Sequence, residues 1–142
     1  VLDWELATLG HPLSDLSYNA LAWRMPSGIL LGYGDQDLQA LGLPSEQAYV
    51  ARYCEQMSEQ MAERTGLDRA AVERDWPFYL AFNFFRLSAI LLGIGQRERA
   101  GVASNTTARE IAAMAEPVAR WGWAIAQGQT PDFPSTHHRR QA

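Results

Sequence analysis

Residues 76–95 read WPFYLAFNFFRLSAILLGIG and are apolar except at Asn83, Arg86 and Ser88. A stretch of about 20 such residues is nearly long enough to span a bilayer, but Arg86 near its middle would be costly in lipid. A helix that is apolar on most sides is also what the centre of a helical domain requires. We therefore predict that residues 76–95 form a buried core helix and that the chain has no membrane partner.

The segments before this stretch have the apolar spacing of amphipathic helices. Ser14 or Asp15 can cap a helix over residues 16–24. Ser45 then starts a helix whose apolar residues recur at helical spacing, and Gly66 lies where a C-terminal cap belongs. These signals predict two helices joined by a long surface loop that is rich in glycine.

Further signals predict helices around and after the core stretch. Asp68 caps a short helix that ends near Glu73, Pro77 starts the core helix, and Pro117 kinks the last one. No segment alternates apolar and polar residues as a half-buried strand does. The predicted fold class is therefore all-α, with about five packed helices.

Composition and charge exclude several function classes. The 142 residues carry a net charge of −4, which argues against nucleic acid as the main partner. All 12 basic residues are Arg, and no Lys is present. The single cysteine, Cys54, cannot form an internal disulfide and fits a reducing compartment, which predicts a cytoplasmic protein with a buried, inert thiol.

The first residues of the chain are the part that indicates chemistry. Asp3 follows Val1 and Leu2, whose apolar side chains would end a short strand, and Trp4 could pack beneath the turn. A carboxylate fixed in this way is a suitable ligand for Mg²⁺, which usually takes one or two carboxylates together with substrate phosphates. On residue types alone, Asp3 is more often a turn or cap residue, and Asp15 more often a helix cap, than a functional group.

The order of DWE at 3–5, GHP at 10–12 and DL at 15–16 resembles the aminoglycoside phosphotransferase family of small-molecule kinases. The resemblance implies the C-terminal helical subdomain of a protein-kinase-like fold over residues 1–127, followed by a tail over 128–142. In that family the Asp that matches Asp3 binds the Mg²⁺ that bridges the nucleotide phosphates.

Two further site residues follow from the same resemblance. Asp15 matches the Asp that accepts backbone N–H groups and supports the catalytic loop. Glu5 stands where protein kinases have Gly and would lie next to the metal ligand. The implied cofactors are Mg²⁺ and ATP, and the implied partner is a small molecule with a hydroxyl group.

The resemblance continues along the chain. Residues 49–53, 76–86 and 105–107 look like the branch of the family that is linked to acyl-CoA dehydrogenases. That branch implies a hydroxy-acid or hydroxyacyl acceptor. An aminoglycoside acceptor stays open, although the acidic residues that would favour it are more simply the solvated side of a helix; they are Glu46, Glu55, Glu59 and Glu63.

The motifs that this chain lacks define what it can do alone. Family members hold the nucleotide with a Lys and take the substrate proton with the Asp of a His-Gly-Asp-x-x-x-x-Asn loop, and neither occurs here. We expect the nucleotide-binding lobe, the catalytic base and the second metal ligand to lie upstream, so that this chain carries no catalytic residue and is inactive alone.

The sequence therefore predicts part of an ATP- and Mg²⁺-dependent phosphotransferase. The alternative is a non-catalytic helical interaction module or a pseudokinase remnant, with residues 121–123 (WGW) as a contact surface instead of ordinary packing. An apolar face that met the N-terminal lobe would be exposed in the separate chain, so self-association is also expected.

Overall fold

The computed structural model of the protein describes residues 10–30, 32–57, 63–66, 68–101 and 106–133, and these contain helices and no strand. The principal helices are α1 (Pro12–Arg24), α2 (Glu46–Gln56), α3 (Arg69–Arg99), α4 (Thr106–Ala113) and α5 (Ala115–Ala126). The predicted all-α fold class is confirmed.

Helix α3 is the centre of the fold. Its inner face contributes Leu80, Phe84, Leu87 and Leu91 to a core that α1 and α5 complete. By length and composition alone α3 could cross a membrane, but it packs against α1, α4 and α5 along its length. The prediction of a core helix over residues 76–95 is confirmed, and the absence of a membrane partner stays a prediction.

Helix α3 is one continuous helix through Pro77, so the predicted break between residues 73 and 77 is wrong. Asp68 caps it as expected, because its Oδ1 accepts a hydrogen bond of 2.7 Å from the N–H of Ala71. Pro77 cannot donate to the carbonyl of Glu73, but both residues are exposed and water can replace that bond. The helix therefore tolerates the proline on its solvent side.

The helix is interrupted at Met114, between α4 and α5, instead of kinking at Pro117. Pro117 is the third residue of α5, where its missing N–H has no intrahelical partner to lose. The predicted kink inside a helix at Pro117 is therefore wrong, because Pro117 lies in the first turn of a separate helix.

The loop between α1 and α2 packs on the end of α1. The N–H groups of Tyr33 and Gly34 donate to the carbonyls of Ala22 and Met25, at 2.9 and 2.8 Å. Ser45 caps α2 as predicted, through a bond of 3.1 Å from the N–H of Ala48. Helix α2 nevertheless ends at Gln56, well before the predicted cap at Gly66.

Candidate functional site

The predicted metal ligand Asp3 and its neighbour Glu5 lie outside the described residues, so their placement stays a prediction. Asp15 is described and lies in the first turn of α1. The helix begins at Pro12 with His11 as its N-cap residue, so the predicted cap at Ser14 or Asp15 is wrong. Pro12 holds the φ angle that a first helical residue needs, and the helix therefore starts one turn earlier than expected.

The carboxylate of Asp15 is exposed at the amino-terminal end of α1, where the helix dipole favours negative charge. The charge of this carboxylate affects the pKa of Tyr53 in α2. Partial burial is the main cause of the raised pKa of Tyr53, and the charges of Cys54 and Asp15 raise it further. The charge of Asp15 therefore acts on a residue of α2. Its proposed support of a catalytic loop stays a prediction.

Asn83 of α3 binds the first turns of α1 through hydrogen bonds. Its side chain is fully buried, and its Nδ2 donates to the carbonyl of Ser14 at 2.8 Å and to Oγ of Ser17 at 2.7 Å. The hydroxyl of Ser17 in turn donates to the carbonyl of Leu13. Since both protons of the amide nitrogen are used, this orientation of the amide is fixed by its neighbours. The segment that carries Asp15 is thus held in register with α3.

A second contact fixes the residue before the helix. The imidazole of His11 stacks on Tyr79 of α3, with ring centroids 4.9 Å apart and planes 12° apart. Its Nδ1 is buried and has no hydrogen-bond partner among the described residues. The stack and the Asn83 bonds together fix the start of α1 against α3.

A cavity of about 410 Å³ lies between the end of α1, helix α2 and the start of α3. Glu46 closes one side of it. Its carboxylate pairs with Arg24 and accepts a hydrogen bond of 2.7 Å from Nε1 of Trp76, and its side chain is only 15% exposed. The prediction that Glu46 belongs to a solvated face is wrong, because these two donors draw it inward. Glu55 and Glu63 are exposed as predicted, and Glu59 lies outside the described residues.

Cys54 lies at the same cavity and is half-buried instead of buried. Burial is the main cause of a raised pKa of its thiol; the charge of Glu73 adds to this rise and that of Arg69 opposes it. A thiol with a raised pKa is protonated at neutral pH and is a poor nucleophile. The predicted inert cysteine therefore agrees with its surroundings.

Arg86, Trp121 and Trp123 have different surroundings. Arg86 lies near the middle of α3. It is exposed, its guanidinium lies 4.8 Å from the ring centroid of Tyr18, and no described carboxylate pairs with it. Trp121 is buried and donates from Nε1 to the carbonyl of Asp132, whereas Trp123 is 68% exposed.

Within the described parts of the chain, no group of three His, Cys, Asp or Glu side chains is placed to hold a metal ion. The sequence did not indicate the roles of Asn83, His11 and Tyr79. The one available signal was Asn83 itself, a polar residue in the middle of a mostly apolar helix. Its partners are 66 and 69 residues away in sequence, so spacing could not reveal them.

No family model matches the chain. A crystal structure of a Ralstonia eutropha protein named as a putative aminoglycoside phosphotransferase matches it with a TM-score of 0.73 and 40% identity, over 90% of this chain and 36% of that protein. Mouse acyl-CoA dehydrogenase family member 10 is 40% identical over 128 residues, which are 89% of this chain and 11% of the relative. Rat acyl-CoA dehydrogenase family member 11 is 30% identical over 135 residues, or 94% of this chain and 16% of the relative.

The chain is thus similar to a solved aminoglycoside-phosphotransferase-like protein and to relatives named for acyl-CoA dehydrogenases. The predicted resemblance, including its branch, is confirmed. The fold is that of a phosphotransferase-like helical region. The chain spans about a third of the solved relative and about a tenth to a sixth of the curated ones.

Proposed function

We propose that this chain is the helical part of an ATP- and Mg²⁺-dependent phosphotransferase that phosphorylates a hydroxyl group of a small molecule in the cytoplasm. The observation that carries the proposal is the match to the Ralstonia protein, which has both 40% identity and a shared fold over 90% of the chain. The other parts of the active site belong to a preceding nucleotide-binding lobe of the same polypeptide.

Asp3 is the proposed Mg²⁺ ligand, and Glu5 lies beside it. A bound Mg²⁺ would neutralise charge on the nucleotide phosphates, and a carboxylate is the type of ligand that it prefers. Phosphoryl transfer depends mainly on positioning and on charge neutralisation. The proposed contribution of this chain is to supply one carboxylate, and the bonds of Asn83 to α1 and the stack of His11 on Tyr79 fix the segment that follows it.

The proposed acceptor is a hydroxy acid or a hydroxyacyl compound. Support comes from the relatives named for acyl-CoA dehydrogenases, at 40% and 30% identity. An aminoglycoside acceptor is less favoured, because Glu55 and Glu63 point to solvent and Glu46 is already paired with Arg24. No excess of free negative charge therefore lines the cavity beside α2.

A polypeptide that includes the preceding lobe tests the proposal. Purified protein, ATP and Mg²⁺ are incubated with hydroxy acids, their CoA esters and aminoglycosides, and ADP formation is measured. We expect turnover with the first two classes and a loss of at least about 100-fold in Asp3→Asn, since the variant removes a charged ligand of the Mg²⁺ that would neutralise the phosphate charge. Turnover that survives Asp3→Asn would contradict the role of Asp3.

The chain alone provides a complementary test. Titration calorimetry with Mg²⁺ and ATP is expected to show no binding, because the groups that hold the nucleotide are not in these residues. Binding of ATP at micromolar concentration would show that the missing lobe is not needed. A non-catalytic interaction module remains the second candidate, and the exposed Trp123 favours it; absence of turnover with every acceptor class would support it.

A further inference from the structure

The cavity between α1, α2 and α3 has the size of a small-molecule site. Its volume is about 410 Å³, and clefts that bind small molecules measure roughly 300–1,000 Å³. Helix α1 contributes Arg24, α2 contributes side chains from Glu46 to Cys54, and α3 contributes side chains from Arg69 to Trp76. Asp15, the described residue of the proposed active site, does not line it.

The apolar part of the cavity lies between α2 and α3. Val72 is fully buried, whereas Val50, Ala51 and Trp76 line the same cavity and are only partly buried. Helix α2 has no fully buried residue, so its apolar side is incompletely covered where it faces α3. An apolar group in this space would remove that remaining surface from water, which is favourable. The cavity therefore favours a ligand with an apolar body.

The polar part of the cavity offers hydrogen-bond donors. Oε1 of Glu46 accepts from Nη2 of Arg24 at 2.9 Å and from Nε1 of Trp76 at 2.7 Å, and Oε2 lies 2.5 Å from Nε of Arg24. Both carboxylate oxygens are thus engaged, whereas Nη1 of Arg24 has no partner among the described residues. Glu46 holds one edge of the guanidinium and leaves the other edge free to donate to a ligand. Because Arg24 is already positioned, a ligand would have little side-chain freedom to remove there.

We propose that this cavity binds a small carboxylic acid with a short apolar or aromatic body. The carboxylate accepts hydrogen bonds from the free edge of Arg24, and the body packs against Val50, Val72 and Trp76. A carboxylate is favoured over a neutral carbonyl, because charge-assisted hydrogen bonds are about twice as strong as neutral ones. Arg69 contributes less, since its side chain is 70% exposed and pairs with Glu73 at 2.9 Å.

The charges around the cavity limit the affinity. Two arginines and two glutamates line it, so their formal charges cancel. An acid of about nine non-hydrogen atoms should therefore bind with a dissociation constant on the order of 0.1–1 mM. This inference does not depend on the proposed phosphotransferase activity, because it concerns binding alone.

Alkylation of Cys54 reports whether the cavity is occupied. Cys54 is half-buried, lines the cavity and is the only cysteine of the chain. The 142-residue chain reacts with iodoacetamide in the presence of benzoate or of benzamide, its neutral counterpart, at constant ionic strength. Saturating benzoate should slow the reaction at least about fivefold, because only the free chain reacts. Benzamide should need a concentration at least about tenfold higher, because it lacks the charge.

Saturation-transfer NMR of benzoate measures the same binding without the thiol reaction. Arg24→Gln should weaken benzoate at least about tenfold and change benzamide less than about twofold, since it removes the charged contact alone. Arg52→Gln is the matched control, because Arg52 is exposed on α2 and does not line the cavity, and it should leave both ligands unchanged. Ala51→Leu fills the cavity and should abolish the binding of both.

Circular dichroism of each variant should show unchanged helix content. Equal affinities for benzoate and benzamide, or benzoate binding that survives Arg24→Gln, would overturn the assignment of the acid group to Arg24. Benzoate that fails to bind up to about 10 mM would overturn the site itself. Protection of Cys54 that persists in Ala51→Leu would do the same, since it would show that benzoate binds elsewhere.

Discussion

The two faces of α3 have similar composition and opposite environments. The inner face presents Leu80, Phe84 and Leu91 to a closed core, and Asn83 is buried among them. The outer face presents Phe82 and Phe85 to solvent. Phe84 and Phe85 are adjacent and identical, and one is fully buried while the other is 68% exposed. The neighbours of a residue, and not its hydrophobicity alone, therefore decide whether it stabilises this fold.

The two adjacent phenylalanines offer the largest test of this comparison. Phe84→Ala should lower the free energy of unfolding by about 3–5 kcal/mol, because it opens a cavity between α3 and α5. Phe85→Ala should change it by about 0.5 kcal/mol or less, as surface substitutions do. Urea unfolding at low micromolar protein concentration measures both. Equal losses for the two variants would refute the separation of the faces.

Asn83 provides the second test, since it is the polar exception on the inner face. Asn83→Leu keeps the branched shape of the side chain but loses two hydrogen bonds to α1, at about 1 kcal/mol each. Asn83→Asp should lose more at neutral pH, because a buried carboxylate would face the carbonyl of Ser14.

The Asp variant should regain stability in acid, where its carboxyl group becomes protonated. Burial raises the pKa of a carboxyl group, so the penalty falls as the pH drops below that pKa. Thermal unfolding at pH 7 and pH 5 measures the difference. A leucine variant as stable as the unmodified chain would show that Asn83 does not hold α1.

Two helical glycines give expected effects of opposite sign, and the smaller of these is at Gly93. An added Cβ at Gly122 would lie 2.6 Å from Cβ of Phe84, so Gly122→Ala should cost about 1–3 kcal/mol by pushing α5 away from α3. Gly93 has open space, so Gly93→Ala should stabilise the monomer by about 0.5–1 kcal/mol through the backbone entropy of glycine. Urea unfolding at the same protein concentration compares them. A neutral Gly122→Ala would mean that the helices can separate without loss.

Much of the fold could be predicted from local signals. The apolar run over residues 76–95 predicted the central helix, and Asp68 and Ser45 marked true helix starts because a cap acts on N–H groups within three residues. Helix ends were less predictable. Pro12 and Pro117 both lie in first turns, where proline is favoured, but proline inside a helix and proline at its start look alike in a sequence.

The candidate site was predictable only where it resembles a known motif. The order of residues 3–5, 10–12 and 15–16 led to the phosphotransferase resemblance, which the comparisons confirm. The supports of that segment were not predictable, because Asn83 and Tyr79 are more than 60 residues away from Ser17 and His11 in sequence. The burial of Glu46 was not predictable either, since its partners, Arg24 and Trp76, are also distant in sequence.

The sequence by itself determined that the chain is all-α, that residues 76–95 are its central helix and which protein family it resembles. Each of these depends on the spacing of residues that are near one another in the chain. Only the tertiary structure decided which face of α3 is buried, which face is exposed and how Asn83 binds α1. Those outcomes depend on contacts between distant segments, and the apolar pattern of a helix that is hydrophobic on most sides cannot choose between its faces.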